Sequence, residues 1–268
     1  MKNAAVPFHK MVASGNDFVV VDNRKKIISD PVGFTREVCQ SHLGVGADGV
    51  LLIETSKKAD YKMRILNADG SEAEACGNGF RCAALLAHKK LGFPKKHRFE
   101  SLAGIIDADV KGGRVRVRLM DPKDYNGRDK IQIGEKQLAY QFIRVGVPHV
   151  VIFVEGLSKI PVLEIGKEVR YHSRFKPAGT NVNFVEITGP QSLSVRTYER
   201  GVEQNTLACG TGSTASAIVS ALTHQTQPPV RVLTEGGETL LVDFSLEGGK
   251  VQNVYLEGDA KFVFEGKW

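Results

Sequence analysis

Two short stretches of this chain repeat one pattern. Cys76-Gly77-Asn78-Gly79 opens one run of small, helix-forming residues, and Cys209-Gly210-Thr211-Gly212 opens another. Each follows a strand-like run containing an arginine, Met63-Arg64-Ile65-Leu66-Asn67 and Val195-Arg196-Thr197-Tyr198-Glu199. Arg64 precedes its cysteine by twelve residues and Arg196 by thirteen. A repeated strand–loop–Cys–Gly–x–Gly–helix unit confines the fold to two related halves, each offering one thiol. Neither Ala83–Ala87 nor Ala215–Leu222 has a wide charged face, so both helices are expected to be central and covered on most sides. The expected fold class is α/β (α+β), with two similar domains, each a mixed sheet or barrel wrapped around a central helix, and a site in the cleft between them. The expected boundaries are 1–120 plus a C-terminal strand at about 260–268 for the half carrying Cys76. The half carrying Cys209 is expected at 130–259, with polar Asp121–Lys130 as the linker.

Other elements follow from apolar patterning. Phe18–Val21, Val50–Ile53 and Tyr61–Leu66 read as strands, and Phe34–Leu43 as a helix. Gly77–Leu91 reads as a helix ended by Gly92 and Pro94. Gly104–Met120 reads as two strands turning at Gly112-Gly113. In the second half, strands are expected near Gln141–Val145, Val150–Val154, Val182–Ile187 and Leu193–Glu199. Helices are expected at Val162–His172 and from Gly210 to about His224. Four alternating strands close the chain.

At 268 residues the chain can bury a full core. Its net charge of +6 is scattered, with short clusters only at Arg24–Lys26 and Lys95–Arg98. That argues against nucleic acid and for a field that draws in anionic small molecules. No run approaches a membrane span, and Met1–Lys10 has no apolar leader segment, so a cytoplasmic enzyme is expected. Four cysteines without secretion signals point to a reducing compartment. The seven histidines show no metal spacing, and no metal site is expected.

A thiol at a helix N-terminus meets unpaired N–H groups and the positive end of the dipole, which favours the thiolate. The same N–H groups bind carboxylates, and the glycines let a ligand approach the backbone. Each Cys-Gly-x-Gly is thus a candidate base joined to an anion site. Cys39, read as lying mid-helix, and Cys82 are assigned to packing. Gly44-Val45-Gly46-Ala47-Asp48-Gly49 has the spacing of a dinucleotide loop, but a helix precedes it and a strand follows; it reads as a tight helix-to-strand turn. His149, in a turn entering a strand, stands open between a structural role and a site role. Asn16, Asn67 and Asn183 are ordinary turn residues or ligands, and Arg200 is a carboxylate clasp or a surface pair.

Taken together, these motifs resemble those of the diaminopimelate epimerase family. The stretches that carry the resemblance are Lys10-Met11…Gly15-Asn16-Asp17-Phe18, Gly44–Gly49, Arg64…Asn67-Ala68-Asp69-Gly70-Ser71…Cys76-Gly77-Asn78-Gly79…Arg81-Cys82, Pro148-His149, Thr180–Phe184, Tyr198–Gly201 and Ala208–Gly212. The resemblance implies a cofactor-free isomerase that interconverts LL- and meso-diaminopimelate, on the route to lysine and peptidoglycan, and often a homodimer. By motif position, Cys76 and Cys209 are the acid/base pair. His149 and Glu199 flank the reacting centre. Asn16, Asn67, Asn183 and Arg200 hold the distal end of the substrate, and Gly77-Asn78 and Gly210-Thr211 hold the reacting carboxylate. The chain departs from many members at Val147, where an asparagine is common, and at Val12-Ala13-Ser14.

The rival readings are a racemase of proline, hydroxyproline or histidine on the same fold, a thiol hydrolase using Cys76 with His149, and a binding protein without turnover. The asparagine set and Arg200 oppose the first, since a small amino acid has no distal end to hold. The hydrolase leaves Cys209 unexplained, and two intact Cys-Gly-x-Gly loops oppose mere binding.

Overall fold

The computed structural model describes residues 5–268, so the first four residues of the stretch read for a leader lie outside it. The chain divides into two compact units. One runs to Arg118 and takes back Gly258–Trp268; the other is Leu119–Glu257.

The first unit starts with β1 (Pro7–Ala13) and β2 (Asn16–Asp22), then α1 (Pro31–Val38), β3 (Gly49–Glu54) and β4 (Tyr61–Asn67). Helix α2 (Gly77–Lys90) follows, then β5 (Lys96–Ser101), β6 (Gly104–Lys111) and β7 (Arg114–Arg118). β1 and β2 are antiparallel, β2 and β3 parallel, β3 and β4 antiparallel, β4 and β5 parallel, and β5, β6 and β7 antiparallel in turn.

The second unit holds β8 (Lys123–Ile133), β9 (Lys136–Val145), β10 (Val147–Phe153), α3 (Val162–Tyr171), β11 (Asn181–Gly189), β12 (Ser192–Glu199) and the short β13 (Gln204–Thr206). Helix α4 (Gly210–Leu222) leads into β14 (Val230–Thr234), β15 (Thr239–Glu247) and β16 (Lys250–Asp259). From β9 the pairing repeats the first unit step for step: antiparallel to β10, parallel to β11, antiparallel to β12, parallel to β14, then antiparallel to β15 and β16. β8 adds to the outside of β9, and the final strand, β17 (Lys261–Lys267), adds in the same antiparallel sense to the outside of β1. The chain end therefore supplies the first unit with the strand that β8 supplies to the second.

The two thiol-bearing helices are the hubs. In α2 every residue from Gly77 to Ala87 is buried, and in α4 Gly210 and Gly212–Ala221 are buried. Each bulky apolar side chain so enclosed, such as Phe80 or Leu86, contributes roughly 1.5–3 kcal/mol. Strands approach α4 closely because its residues are small. Its hydroxyls would be costly there if unbonded, and most turn back onto the helix. Thr214 Oγ1 donates to the Gly210 carbonyl at 2.8 Å and Ser216 Oγ to that of Gly212 at 2.7 Å. Helix α1 covers the other face of β2, β3 and β4 through Val38, Val19, Val21, Val50, Leu52 and Leu66. Burial on both faces accounts for their uninterrupted apolar runs.

Three expectations are corrected. Asp121–Lys130 is not a linker: Lys123–Ile133 forms β8, whose mostly exposed side chains hid it from an apolar pattern. Helix α1 starts earlier and ends earlier than Phe34–Leu43. Pro31 takes its first position, Asp30 Oδ1 accepts from Gly33 N at 3.0 Å, and His42 has left the helix with φ +69°. Cys39 is consequently the C-terminal cap and not a mid-helix residue. Strands β1 and β5 were not anticipated. The Gly44–Gly49 segment is the tight turn expected: a Cβ on Gly44 would lie 2.4 Å from the Glu37 carbonyl oxygen, and Gly46 sits at φ +73°. No described helix is long and apolar enough to cross a membrane.

Candidate active site

Cys76 and Cys209 occupy the same place in their units, as N-caps of α2 and α4 in extended backbone conformation. Cys76 Sγ accepts from Gly79 N at 3.4 Å, and Cys209 Sγ from Gly212 N at 3.4 Å. Each sulfur therefore takes up one of the orphan donors of its helix start, an arrangement that favours negative charge on it.

In the first unit, Asn16 stands at the start of β2 with its Oδ1 3.6 Å from Cys76 Sγ. Its Nδ2 donates to Asp48 Oδ2 at 2.6 Å, which fixes the amide with its oxygen towards the sulfur. Asp48 is held in turn: Asp17 N donates to Asp48 Oδ2 and Asp48 N to Asp17 Oδ1, both at 3.1 Å. Lys10, buried, pairs with the Asp17 carboxylate and the Gly46 carbonyl. The Asp48 of the glycine-rich turn thus orients a residue beside the thiol. Asn67, at the end of β4, is exposed and donates to Ser71 Oγ at 3.0 Å. Arg64 holds Glu72 through two hydrogen bonds of 2.9 and 2.8 Å, which tie the loop before Cys76 to β4.

Arg81 was not assigned a role from sequence. It is wholly buried in α2, and its Nη2 donates to Asn78 Oδ1 at 3.0 Å and to Ser14 Oγ at 2.5 Å. A guanidinium five residues past the cysteine adds positive potential to that of the helix start. Its signal was present: it is the one charged residue between Gly77 and Ala87.

In the second unit, His149 on β10 is fully buried, and burial, then the charge of Arg200, lower its pKa to about 3. Asn183 on β11 is also fully buried; its Nδ2 lies 2.9 Å from the Val150 carbonyl oxygen and 3.3 Å from His149 Nδ1, and its Oδ1 accepts from Thr197 Oγ1 at 3.0 Å. Asn181, named from sequence only within the Thr180–Phe184 stretch and given no role, joins two site segments: its Nδ2 donates to the Pro148 carbonyl at 3.0 Å and its Oδ1 accepts from Arg200 N at 2.9 Å. Glu199 Oε2 accepts from Thr206 Oγ1 at 2.9 Å, and Thr211 Oγ1 lies 3.6 Å from Cys209 Sγ. Val147, where an amide was expected to be missed, is a half-buried residue opening β10.

Arg200 follows β12 and donates to the Ala178 carbonyl at 3.0 Å. Among the described residues no carboxylate pairs with it, so the surface-pair reading finds no partner. Burial, with Arg170 and Arg144 nearby, holds its pKa below the ordinary guanidinium value. A half-exposed guanidinium without a carboxylate beside it is open to an anionic ligand. No cluster of three or more His, Cys, Asp or Glu capable of holding a metal occurs among the described residues.

Two repeated units, each built on a central helix capped by cysteine, define a two-domain epimerase fold. A phenazine biosynthesis protein of the PhzF family from Bacillus anthracis shares the architecture, with a TM-score of 0.75 at 15% identity over 99% of both chains. So does a hydroxyproline epimerase from Agrobacterium vitis, with a TM-score of 0.72 at 15% identity over 98% of this chain and 92% of that one. The sequence narrows the class. The diaminopimelate epimerase family model matches residues 8–123 and 141–263. Diaminopimelate epimerases from Aquifex aeolicus and Chlorobaculum tepidum are 44% and 42% identical, over 97% and 96% of this chain and 96% and 98% of theirs. The chain belongs to the diaminopimelate epimerase family.

Proposed function

We propose that this enzyme interconverts LL- and meso-diaminopimelate by proton exchange between two thiols, with no cofactor. The observation that carries the reading is the cysteine N-cap at the matching position of both units. Inverting a tetrahedral carbon needs a base on one face and an acid on the other, and a duplicated capped helix supplies one sulfur for each. One thiolate takes the α-proton and the other thiol returns a proton to the opposite face. The carbanion is very basic, so negative charge moving onto the reacting carboxylate must be met by preorganised donors. The N–H groups at the starts of α2 and α4, around Gly77-Asn78 and Gly210-Thr211, suit that task.

Specificity for diaminopimelate over a small amino acid rests on the distal end of the substrate. Arg200, half-buried and without a carboxylate partner among the described residues, suits its carboxylate, and the exposed amide of Asn67 and the oriented amide of Asn16 are further polar contacts. The reading also implies a role in lysine biosynthesis, a cytoplasmic location and a homodimer. Incubation of LL-diaminopimelate with the enzyme in deuterium oxide tests it. Deuterium is expected at the α-carbon of the meso product, with no such exchange in proline or histidine. Release of a hydrolysis product, or exchange confined to proline or hydroxyproline, would overturn the proposal.

A further inference from the structure

His149 and Asn183 form a buried pair whose proton positions are determined by their surroundings. The Val150 carbonyl, 2.9 Å from the Asn183 amide, only accepts, so the group facing it is Nδ2. The other side of the amide then presents Oδ1 to Thr197 Oγ1 at 3.0 Å. The second N–H of Nδ2 has one neighbour, His149 Nδ1 at 3.3 Å. A neutral imidazole has one donor nitrogen and one acceptor nitrogen. A proton on Nδ1 would set two N–H groups against each other in a fully buried place. Nδ1 is therefore the acceptor, and the proton sits on Nε2. That nitrogen is buried and has no hydrogen-bond partner among the described residues. A buried N–H left without an acceptor is costly unless a ligand supplies one.

Asn183 also reaches the thiol loop. A Cβ on Gly212 would lie 2.3 Å from Asn183 Oδ1, and Gly212 is the residue whose N–H serves Cys209. One amide thus touches both the imidazole and the turn that seats the sulfur.

We propose that Asn183 is a positioning residue that locks His149 in the Nε2–H tautomer, so that His149 serves the reaction as a fixed, neutral hydrogen-bond donor and not as a base. The acceptor is an oxygen of the substrate's carboxylate group, whose negative charge grows as the α-proton leaves. Nδ1 is occupied by Asn183 and Nε2 already carries its proton, so neither nitrogen is free to take one, and proton abstraction falls to sulfur alone. This assigns Asn183 to the histidine instead of to the distal end of the substrate, and it rests on the epimerase reading above.

The experiment is nitrogen NMR of the intact enzyme with 15N-labelled histidine, the His149 signals being identified by their loss in His149→Gln. In the substrate-free wild type, Nδ1 is expected as the pyridine-type nitrogen and Nε2 as the pyrrole-type nitrogen, unchanged from about pH 5 to pH 9. In Asn183→Asp, a carboxylate facing Nδ1 draws the proton to that nitrogen. kcat is then expected to fall on the order of a hundredfold, as for loss of one transition-state donor, with KM little changed. A proton on Nδ1 in the wild type, or titration of His149 across that range, overturns the proposal. So does an Asn183→Asp enzyme that keeps its kcat after the proton has moved. The wild-type spectrum decides the matter even if the variant fails to fold. It is also read without substrate, so failure of the epimerase reading would show separately, as absent deuterium incorporation.

Discussion

Gly79 and Gly212 are the third residues of α2 and α4 and make the same hydrogen bond to their capping sulfurs, yet replacing each by alanine is expected to have very unequal consequences. At an ordinary helix position, alanine gains about 1 kcal/mol over glycine. A Cβ at Gly79 would meet Leu51 Cδ2 at 3.2 Å and Met63 Cε at 3.3 Å, both methyl ends of side chains able to give by a few tenths of an ångström. Gly79→Ala should therefore leave stability within about 1 kcal/mol of the wild type, on either side. A Cβ at Gly212 would meet Asn183 Oδ1 at 2.3 Å and Cys209 Sγ at 3.2 Å. Asn183 has nowhere to retreat, being fully buried and tied to Val150 and Thr197. Overpacking costs about 1–3 kcal/mol and a broken buried hydrogen bond about 1–3 more, against which the helix gain is small. The expected net loss for Gly212→Ala is roughly 2–4 kcal/mol, or about 2–4 °C in Tm per kcal/mol. Because displacement of Asn183 disturbs both His149 and the Cys209 turn, kcat/KM should also fall on the order of a hundredfold. Urea melts and steady-state epimerisation of the two variants side by side provide the assay. Equal stability of the two variants, or a Gly212→Ala enzyme with wild-type kcat/KM, would refute the reasoning.

Four further outcomes are expected. Cys76→Ala and Cys209→Ala each abolish interconversion, checked by chiral separation of the diaminopimelate isomers; near-normal turnover of either would sink the two-base mechanism. Arg200→Lys loses about ten- to a hundredfold in kcat/KM for diaminopimelate, the equivalent of roughly 1.5–3 kcal/mol for a charged hydrogen bond, because an ammonium does not reproduce a two-point carboxylate clasp. Burial pushes the Cys39 thiol up to about 11, so iodoacetamide near neutral pH should spare it, as peptide mapping will show, and Cys39→Ser should keep full turnover. Arg64 lowers the Glu72 pKa below 4.5, so this ion pair contributes stability above that pH and loses it as pH falls through the lower folded value; the Tm of Glu72→Gln should accordingly fall less steeply than that of the wild type below about pH 4.5.

What the sequence disclosed about the fold follows from where each strand lies. Val50–Ile53 is apolar throughout because α1 covers one of its faces and α2 packs on the other, and such a run is legible alone. β8 alternates with nothing: from Lys123 to Arg128 every residue is exposed, and its only strand neighbour in the second unit is β9. A strand that adds at an edge and buries little carries no periodic signal, and its polar residues read as a linker. β5 does alternate, with His97, Phe99 and Ser101 buried between exposed or half-buried Lys96, Arg98 and Glu100, but its basic residues drew the reading towards charge. The end of α1 was misplaced because Cys39–Leu43 continues an apolar rhythm while the backbone has already turned, and hydrophobic spacing does not report φ.

The site divides along another physical line. The cysteines were legible because a cap is a local arrangement: sulfur, glycines and the helix that follows all lie within four residues of one another. The residues that orient them act across the sheet. Asn16 is set by Asp48, thirty-two positions away, and His149 by Asn183, thirty-four positions away. No local pattern encodes which nitrogen of an imidazole carries the proton; that depends on a carbonyl, here that of Val150, turning one amide and so facing the next ring. The duplication makes the contrast plain. Both units place a cysteine at the same point of the same topology, but beside one lies a carboxylate-anchored asparagine and beside the other a hydroxyl, with Asn183 packed against the glycine of its turn. Two sulfurs in unequal surroundings need not share one proton affinity, and under the proposed mechanism each serves as base in one direction and acid in the other. Peptide-mapped iodoacetamide alkylation of the substrate-free enzyme across a pH series should therefore give different rate profiles for Cys76 and Cys209, and matching profiles would show that Asn16 and Thr211 leave the two thiols equivalent.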